Sequence, residues 1–154
     1  MTTENKNNQQ LTKKDNIRHV ELGGLAISDA IKLNFADRLK YLKKVDLINS
    51  SLESGSDRLL RLMNKGFTME EFWDFYNKIN SIDKKKFYLS IISGFPTETK
   101  DDILETIKVL KQVRPKLVNI NTFLDSVYTP AHELEQLSEE EINEHTNTYV
   151  RSLK

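Results

Sequence analysis

No cysteine occurs anywhere in the chain. That absence excludes disulfides, thiolate-bound zinc and any iron–sulfur cluster anchored by this polypeptide alone. Histidine is scarce too: His19, His132 and His145 follow no metal-ligand spacing, and each reads as a surface or satisfied structural residue. An excess of one charge is missing, because 23 Lys plus Arg balance 23 Asp plus Glu, so no global field favours nucleic acid or an anionic membrane. No apolar run approaches the roughly 20 residues of a membrane span. The opening MTTENKNNQQLTKKDN has neither the apolar stretch of a signal peptide nor the arginines of a transit peptide, so a cytoplasmic location is expected. The phosphate-binding signatures GxxxxGK(S/T) and GxGxxG are absent, as is any nucleophile signature around Ser54 or Ser56.

What is present suits a single soluble domain: 154 residues, 38% hydrophobic and 30% charged. Residues 1–16 hold too little apolar surface to offset the entropy of ordering and read as a disordered polar leader. From Ile17 a pattern begins and repeats: an apolar β-leaning run, a polar turn, an amphipathic helix. IRHVELGGLAI (17–27) is the first strand, with Gly23 and Gly24 marking a bulge or close approach to a ligand. Ser28 or Asp29 caps a helix whose buried line is Ile31, Phe35, Leu39 and Leu42 and which ends at Lys43-Lys44. VDLINSSL (45–52) is the second strand. A short helix over 57–65 buries Leu59, Leu60 and Met63, with Gly66 as its left-handed C-terminal cap.

Thr68 and Glu71 form a capping box, and Phe72, Phe75, Tyr76 and Ile79 then repeat at the spacing of one helix face, a core stripe with Trp73 beside it. KFYLSIIS (86–93) is apolar enough for a parallel strand covered on both faces. Thr97 or Thr99 opens a helix buried through Ile103, Ile107 and Leu110, and Val113 and Pro115 end it. LVNINTFL (117–124) is the fourth strand. Ser138 with Glu141 is a second capping box for a helix reaching about Leu153, and Glu139–Glu141 is its N-terminal charge cluster.

Alternation of strand and helix predicts an α/β fold of parallel (β/α) repeats, a partial TIM-like barrel of about four strands, all parallel. Such folds bind ligands at the carboxyl ends of their strands. Here those ends carry Gly23-Gly24, then Glu53 to Ser56, then Ser93 to Glu98, then Asp125-Ser126. Small residues let a ligand approach backbone, helix N-termini at Ser56 and Thr97 or Thr99 attract a carboxylate, and Glu53 or Glu98 can accept from a ribose or amino group. The alternative is ordinary turn and capping chemistry at each junction.

ESGSDRLLRLMNKGFTMEEF, then IISGFPTETKDDILETI, then a strand followed by TPAHELEQL, resemble in order and spacing the later part of the radical S-adenosylmethionine barrel. The similarity is greatest to methylthiotransferases that modify tRNA or a ribosomal protein, with ESGS the form common in the cobalamin-dependent branch. It covers about residues 17–137, with 138–154 as a C-terminal helix. The resemblance implies the last four strands of a six-stranded barrel, with S-adenosylmethionine lying across the strand ends and contacted by Glu53, Ser54, Ser56, Gly94, Phe95 and Glu98. Two positions depart from the family text: Glu53 replaces a glutamine, and Thr97 replaces a glycine. The family's 4Fe–4S cluster needs three cysteines, so the resemblance implies that another chain supplies it and that this polypeptide is not a complete radical enzyme.

Three readings of the sequence compete. The chain is a fragment or split subunit of an RNA- or protein-modifying radical enzyme; or a degenerate, non-catalytic remnant serving as a binding or structural subunit; or an unrelated α/β domain. Either of the first two expects a protein partner or self-association that completes the barrel, because the first strand leaves an open edge. Charge gives no sign of nucleic acid and the sequence none of a membrane anchor; tRNA enters only through the parent family.

Overall fold

A computed structural model describes residues 20–34, 45–82 and 86–154. In chain order it has β1 (Glu21–Leu25), α1 (Ile27–Lys32), β2 (Leu47–Glu53), α2 (Asp57–Leu62), α3 (Met69–Ile82), β3 (Lys86–Ser93), α4 (Lys100–Val113), β4 (Leu117–Thr122), a 3-10 turn (Pro130–Glu133) and α5 (Glu139–Ser152). The strands form one sheet in the order β1-β2-β3-β4, every pair parallel. This is the α/β, all-parallel arrangement expected of a partial barrel.

The apolar stripe of α3 explains the core. Phe72, Phe75 and Ile79 are buried against Ile48, Leu52, Phe87, Leu89 and Ile91 of the sheet, joined by Ile103, Ile107 and Leu110 of α4. Each such side chain contributes about 1.5–3 kcal/mol by leaving water. The opposite face of the sheet differs. Asn49, Ser51, Tyr88, Ser90, Ile92, Asn119 and Asn121 lie there, half-buried or exposed. The sequence predicts KFYLSIIS covered on both faces; among the described residues helices cover one, and the other is the inner surface of an open barrel.

Several boundaries move. Helix α1 starts at Ile27 with Ala26 as its cap, so Ser28 and Asp29 lie inside it rather than capping it. Residues 17–19 of the predicted first strand and the Phe35–Lys44 part of the predicted helix fall outside the described residues, as does the leader 1–16. Helix α2 ends at Leu62 rather than Lys65, and Asn64 as well as Gly66 is left-handed, at φ 54° and 69°. The Asn64 amide donates to Arg61 O, so the asparagine rather than the glycine stops this helix. Strand β4 ends at Thr122, two residues short of the expectation, and Leu124 beyond it is 83% exposed. The Thr68–Glu71 and Ser138–Glu141 boxes form as read. A bulge interrupts β1 between Leu22 and Leu25, where Gly24 is left-handed.

Helix α5 packs on α4, β3 and β4. His145 and Tyr149, four apart and so on one helix face, are its buried residues.

Candidate functional site

At the carboxyl end of β2 the chain turns abruptly. The Ser54 amide donates to Leu52 O at 2.9 Å, closing a three-residue γ-turn on Glu53, whose φ is 65°. This is the rare, strained hand of the turn, and such strain concentrates where a structure must aim a group. The Glu53 carboxylate, half-buried, accepts from Lys65 Nζ at 3.0 Å.

Beyond Glu53 the ESGS turn is fastened to α4. Thr106 Oγ1 accepts from the Gly55 amide at 2.8 Å and lies 3.2 Å from Ser54 Oγ, while Ser54 Oγ accepts from the Ser56 amide. Gly55 leaves no room for a side chain: a Cβ would sit 2.7 Å from Thr106 Cα. Its smallness serves the approach of α4. Ser56 Oγ donates to Asp102 at 2.6 Å, and Asp102 also accepts from the Thr99 amide and hydroxyl and from Arg58. Arg58 reaches on to Thr97, donating to its hydroxyl at 3.1 Å and its carbonyl at 2.7 Å. Thr97 is left-handed, φ 66°, in the position where a glycine costs nothing; the Arg58 fork and a bond from its amide to Glu135 O hold it there.

The end of β3 is built around Glu98. Its buried carboxylate accepts from the Gly94 amide at 2.8 Å and from Tyr149 Oη at 3.1 Å, and lies 2.9 Å from His145 Nδ1. Burial pushes the Glu98 carboxyl up, and the Gly94, His145 and Tyr149 hydrogen bonds oppose that shift. Gly94, φ 76°, faces Ile142 so closely that a Cβ would sit 2.8 Å from it. Phe95 is buried edge-on to Phe123, ring centroids 5.1 Å apart. At the end of β4, Asp125 pairs with His132 at 2.8 Å. At the end of β1, a methyl added to Gly23 or Gly24 would meet nothing within 4 Å, so among the described residues no close approach explains these glycines.

The six expected contact residues therefore gather on two adjacent turns, 53–56 and 94–98, at the same edge of the sheet. Five of them also carry internal duties: Ser54, Ser56 and Glu98 spend their polar groups inside the protein, and Gly94 and Phe95 pack. Glu53 is the one whose charge is only partly committed. The α4 N-terminus, expected to attract a carboxylate, already holds that of Asp102 through the Thr99 box. Sequence reading misses Asp102, Arg58, Thr106 and Tyr149, and with them the partner that His145 satisfies. Thr99-x-x-Asp102 is itself a capping-box pattern and is the available signal for the first of these. His19 lies outside the described residues; His145 is the satisfied structural histidine expected, and His132 is tied to Asp125.

Known proteins resemble the chain at this level. A family model described as the Radical SAM superfamily matches residues 5–110. The tRNA-2-methylthio-N(6)-dimethylallyladenosine synthase of Desulforamulus reducens is 37% identical over 91 residues, covering 57% of this chain and 20% of that protein. The threonylcarbamoyladenosine tRNA methylthiotransferase of Aquifex aeolicus is 31% identical over 150 residues, covering 94% and 35%. In structure, coproporphyrinogen III oxidase of Escherichia coli, a radical SAM enzyme, overlays 88% of this chain and 32% of its own at a TM-score of 0.64 and 15% identity, a likeness of fold. The chain thus spans a fifth to about a third of the length of these proteins.

Proposed function

We propose that this chain, which belongs to the radical SAM superfamily, supplies the S-adenosylmethionine-binding rim of a methylthiotransferase-like barrel whose cluster ligands come from outside its 154 residues. The superfamily implies both S-adenosylmethionine and a 4Fe–4S cluster. The cluster does not fit these residues: there is no cysteine, and among the described residues no group of three or more His, Asp or Glu is placed to hold a metal ion. No chemical step is therefore assigned to this chain.

S-adenosylmethionine fits better. One observation carries the reading: the sheet face that no described helix covers is mostly polar, carrying Asn49, Ser51, Ser90, Asn119 and Asn121 beside Tyr88 and Ile92, and β2 runs from it into the left-handed turn at Glu53. In this reading Glu53 accepts from the ligand's ribose hydroxyls or amino group, exchanging its bond to Lys65. Ser54 and Ser56 hold the first turn, and Gly94, Phe95 and Glu98 hold the second, so that backbone groups of both turns meet the ligand. RNA is the substrate class of the assembled enzyme by analogy with the named relatives, and the cysteine-bearing polypeptide pairs at the β1 edge.

The test is calorimetric titration with S-adenosylmethionine of the chain alone and of the complex captured with it from its own cells. Saturable binding that weakens about tenfold or more in Glu53→Gln, the loss of a charge-assisted hydrogen bond, is expected. Absence of binding in both preparations overturns it. The internal use of Ser54, Ser56 and Glu98 favours a second reading, a non-catalytic remnant. On that reading the protein partner is retained after Glu53→Gln and Glu98→Gln together, with no S-adenosylmethionine bound.

A further inference from the structure

The inward face of α5 is unusual for a helix that covers a sheet. Ile142, His145, Thr146 and Tyr149 recur at i, i+3, i+4 and i+7, the spacing of one face, yet three of the four are polar. All four meet the carboxyl end of β3. Ile142 fills the space beside Gly94, Thr146 Oγ1 lies 2.9 Å from Ser93 Oγ, and His145 and Tyr149 reach the Glu98 carboxylate. A helix serving only as a cover gains more from an apolar stripe, because a buried polar group returns little net stability even when it is hydrogen-bonded.

Glu98 connects that face to the rim. Its amide donates to Phe95 O at 2.9 Å and its carboxylate accepts from the Gly94 amide at 2.8 Å, so the turn 94–98 closes through this one residue. Glu98 is 3% accessible and Tyr149 fully buried, and α5 supplies the carboxylate's other two donors where little water reaches. Burial, and after it the charge of Glu98, pushes the Tyr149 hydroxyl up, so it stays a donor. With α5 drawn away, the carboxylate keeps one of three donors, and its bond to the left-handed Gly94 competes with hydration.

We propose that α5 is the positioning element of the second rim turn: His145 and Tyr149, acting through Glu98, fix the Gly94 backbone that meets the ligand, so docking of this helix and occupancy of the rim are linked. The link is reciprocal. Whatever factor docked α5 adds to ligand affinity, bound ligand adds to the docking of α5. Anything that draws α5 away therefore weakens the rim without touching it. The Lys100–Glu144 pair, 3.4 Å apart and exposed, contributes little, and the buried polar contacts carry the coupling. The ligand half of this inference rests on reading the rim as an S-adenosylmethionine site; the hold of α5 on the turn does not.

Hydrogen exchange resolved by residue, on the full chain without ligand, tests the structural half. Tyr149→Phe removes one hydroxyl and keeps the ring, and His145→Ala removes the second donor. In each, the Gly94 and Glu98 amides should exchange about three- to tenfold faster together with those of α5, the fold-change of one lost hydrogen bond, while β2 and α3 keep their rates. His145→Asn, whose side-chain amide places a donor near the Nδ1 position, should return both segments toward the wild-type rates. Saturating S-adenosylmethionine, added to the chain or to the complex captured with it, tests the other half: it should slow exchange in α5, and Tyr149→Phe should weaken its binding by a similar factor. An α5 that loosens while Gly94 and Glu98 keep their rates, an asparagine no better than alanine, or a bound ligand that leaves α5 unchanged each overturns the proposal. A wild type that binds no S-adenosylmethionine overturns the reading of the rim instead, and the ligand-free rates then decide whether α5 positions the turn.

Discussion

Burial alone would raise the Asp102 carboxyl, but hydrogen bonds from Arg58, Ser56 and Thr99 more than reverse it and hold it at about 2, below its ordinary 3.8. The consequence for stability has a definite sign. A carboxyl depressed in the folded state stabilises the fold above its unfolded value, and that contribution is lost as pH falls from about 4 through about 2. Because Arg58 is 41% exposed, solvent screens part of the ion pair, and the hydroxyl and amide bonds carry much of the effect. Asp102→Asn cannot accept from all these donors at once and places an amide donor against one of them. Urea unfolding at neutral pH should show it less stable by roughly 1–3 kcal/mol, the cost of an unpaired buried group. Between pH 4 and 2 the wild type should lose that advantage while the variant changes less; parallel curves would remove Asp102 from this role. Thr97 belongs to the same unit. A left-handed non-glycine residue costs about 1–3 kcal/mol, and the Arg58 fork on its hydroxyl and carbonyl offsets that cost, which explains how threonine stands where the family text has glycine.

Helix α4 meets the β2 turn at Gly55 with no spare volume, although nothing about the glycine's φ demands it. Gly55→Ala drives a methyl to 2.7 Å from Thr106 Cα and 2.9 Å from Val109 Cγ2. Backbone cannot yield as a flexible side chain does, so thermal or urea unfolding should register a loss of about 1–3 kcal/mol, the usual cost of overpacking. An alanine variant as stable as the wild type would mean that α4 sits farther from the turn. The same glycine shows where sequence reading stops. Strands β2 and β3, the α3 stripe and the capping boxes at Thr68 and Ser138 rest on periodicity and local hydrogen bonding, which neighbouring residues specify, and they lie where the sequence puts them. That Gly55 accommodates α4, or that Glu98 is gripped by His145 and Tyr149 some fifty residues on, depends on packing between distant segments. A glycine that admits a helix and one that admits a ligand look alike in one dimension. For Gly94 the helix is again the answer, through Ile142 of α5.

At the scale of the molecule, the sheet presents helices on one side and, among the described residues, mostly polar side chains on the other, and the charges of the chain balance. Alternation of strand and helix made the parallel sheet legible, whereas the open inner face was not, because Tyr88, Ser90 and Ile92 read as one apolar run with their buried neighbours until the helices' side is known. Charge balance then bears on RNA. Nucleic-acid affinity is dominated by phosphate neutralisation, and the logarithm of the binding constant falls against that of salt by roughly 0.7–0.9 per contact made. With 23 cationic and 23 anionic side chains, this chain has no net field to concentrate RNA at its surface. The lysines of α4 are interleaved with Asp101, Asp102 and Glu105, which weakens any local patch there. Filter binding of unmodified tRNA by the isolated chain should therefore be weak at physiological salt and only shallowly salt-dependent. If the larger assembly captured with this chain binds tRNA tightly with a steep salt slope while the chain alone does not, RNA recognition resides in the partner, and the contribution of these residues is the rim around Glu53. Tight, steeply salt-dependent binding by the chain alone would instead locate a basic surface here, and the reading of the polar sheet face as a small-molecule rim would have to yield to an RNA-binding one.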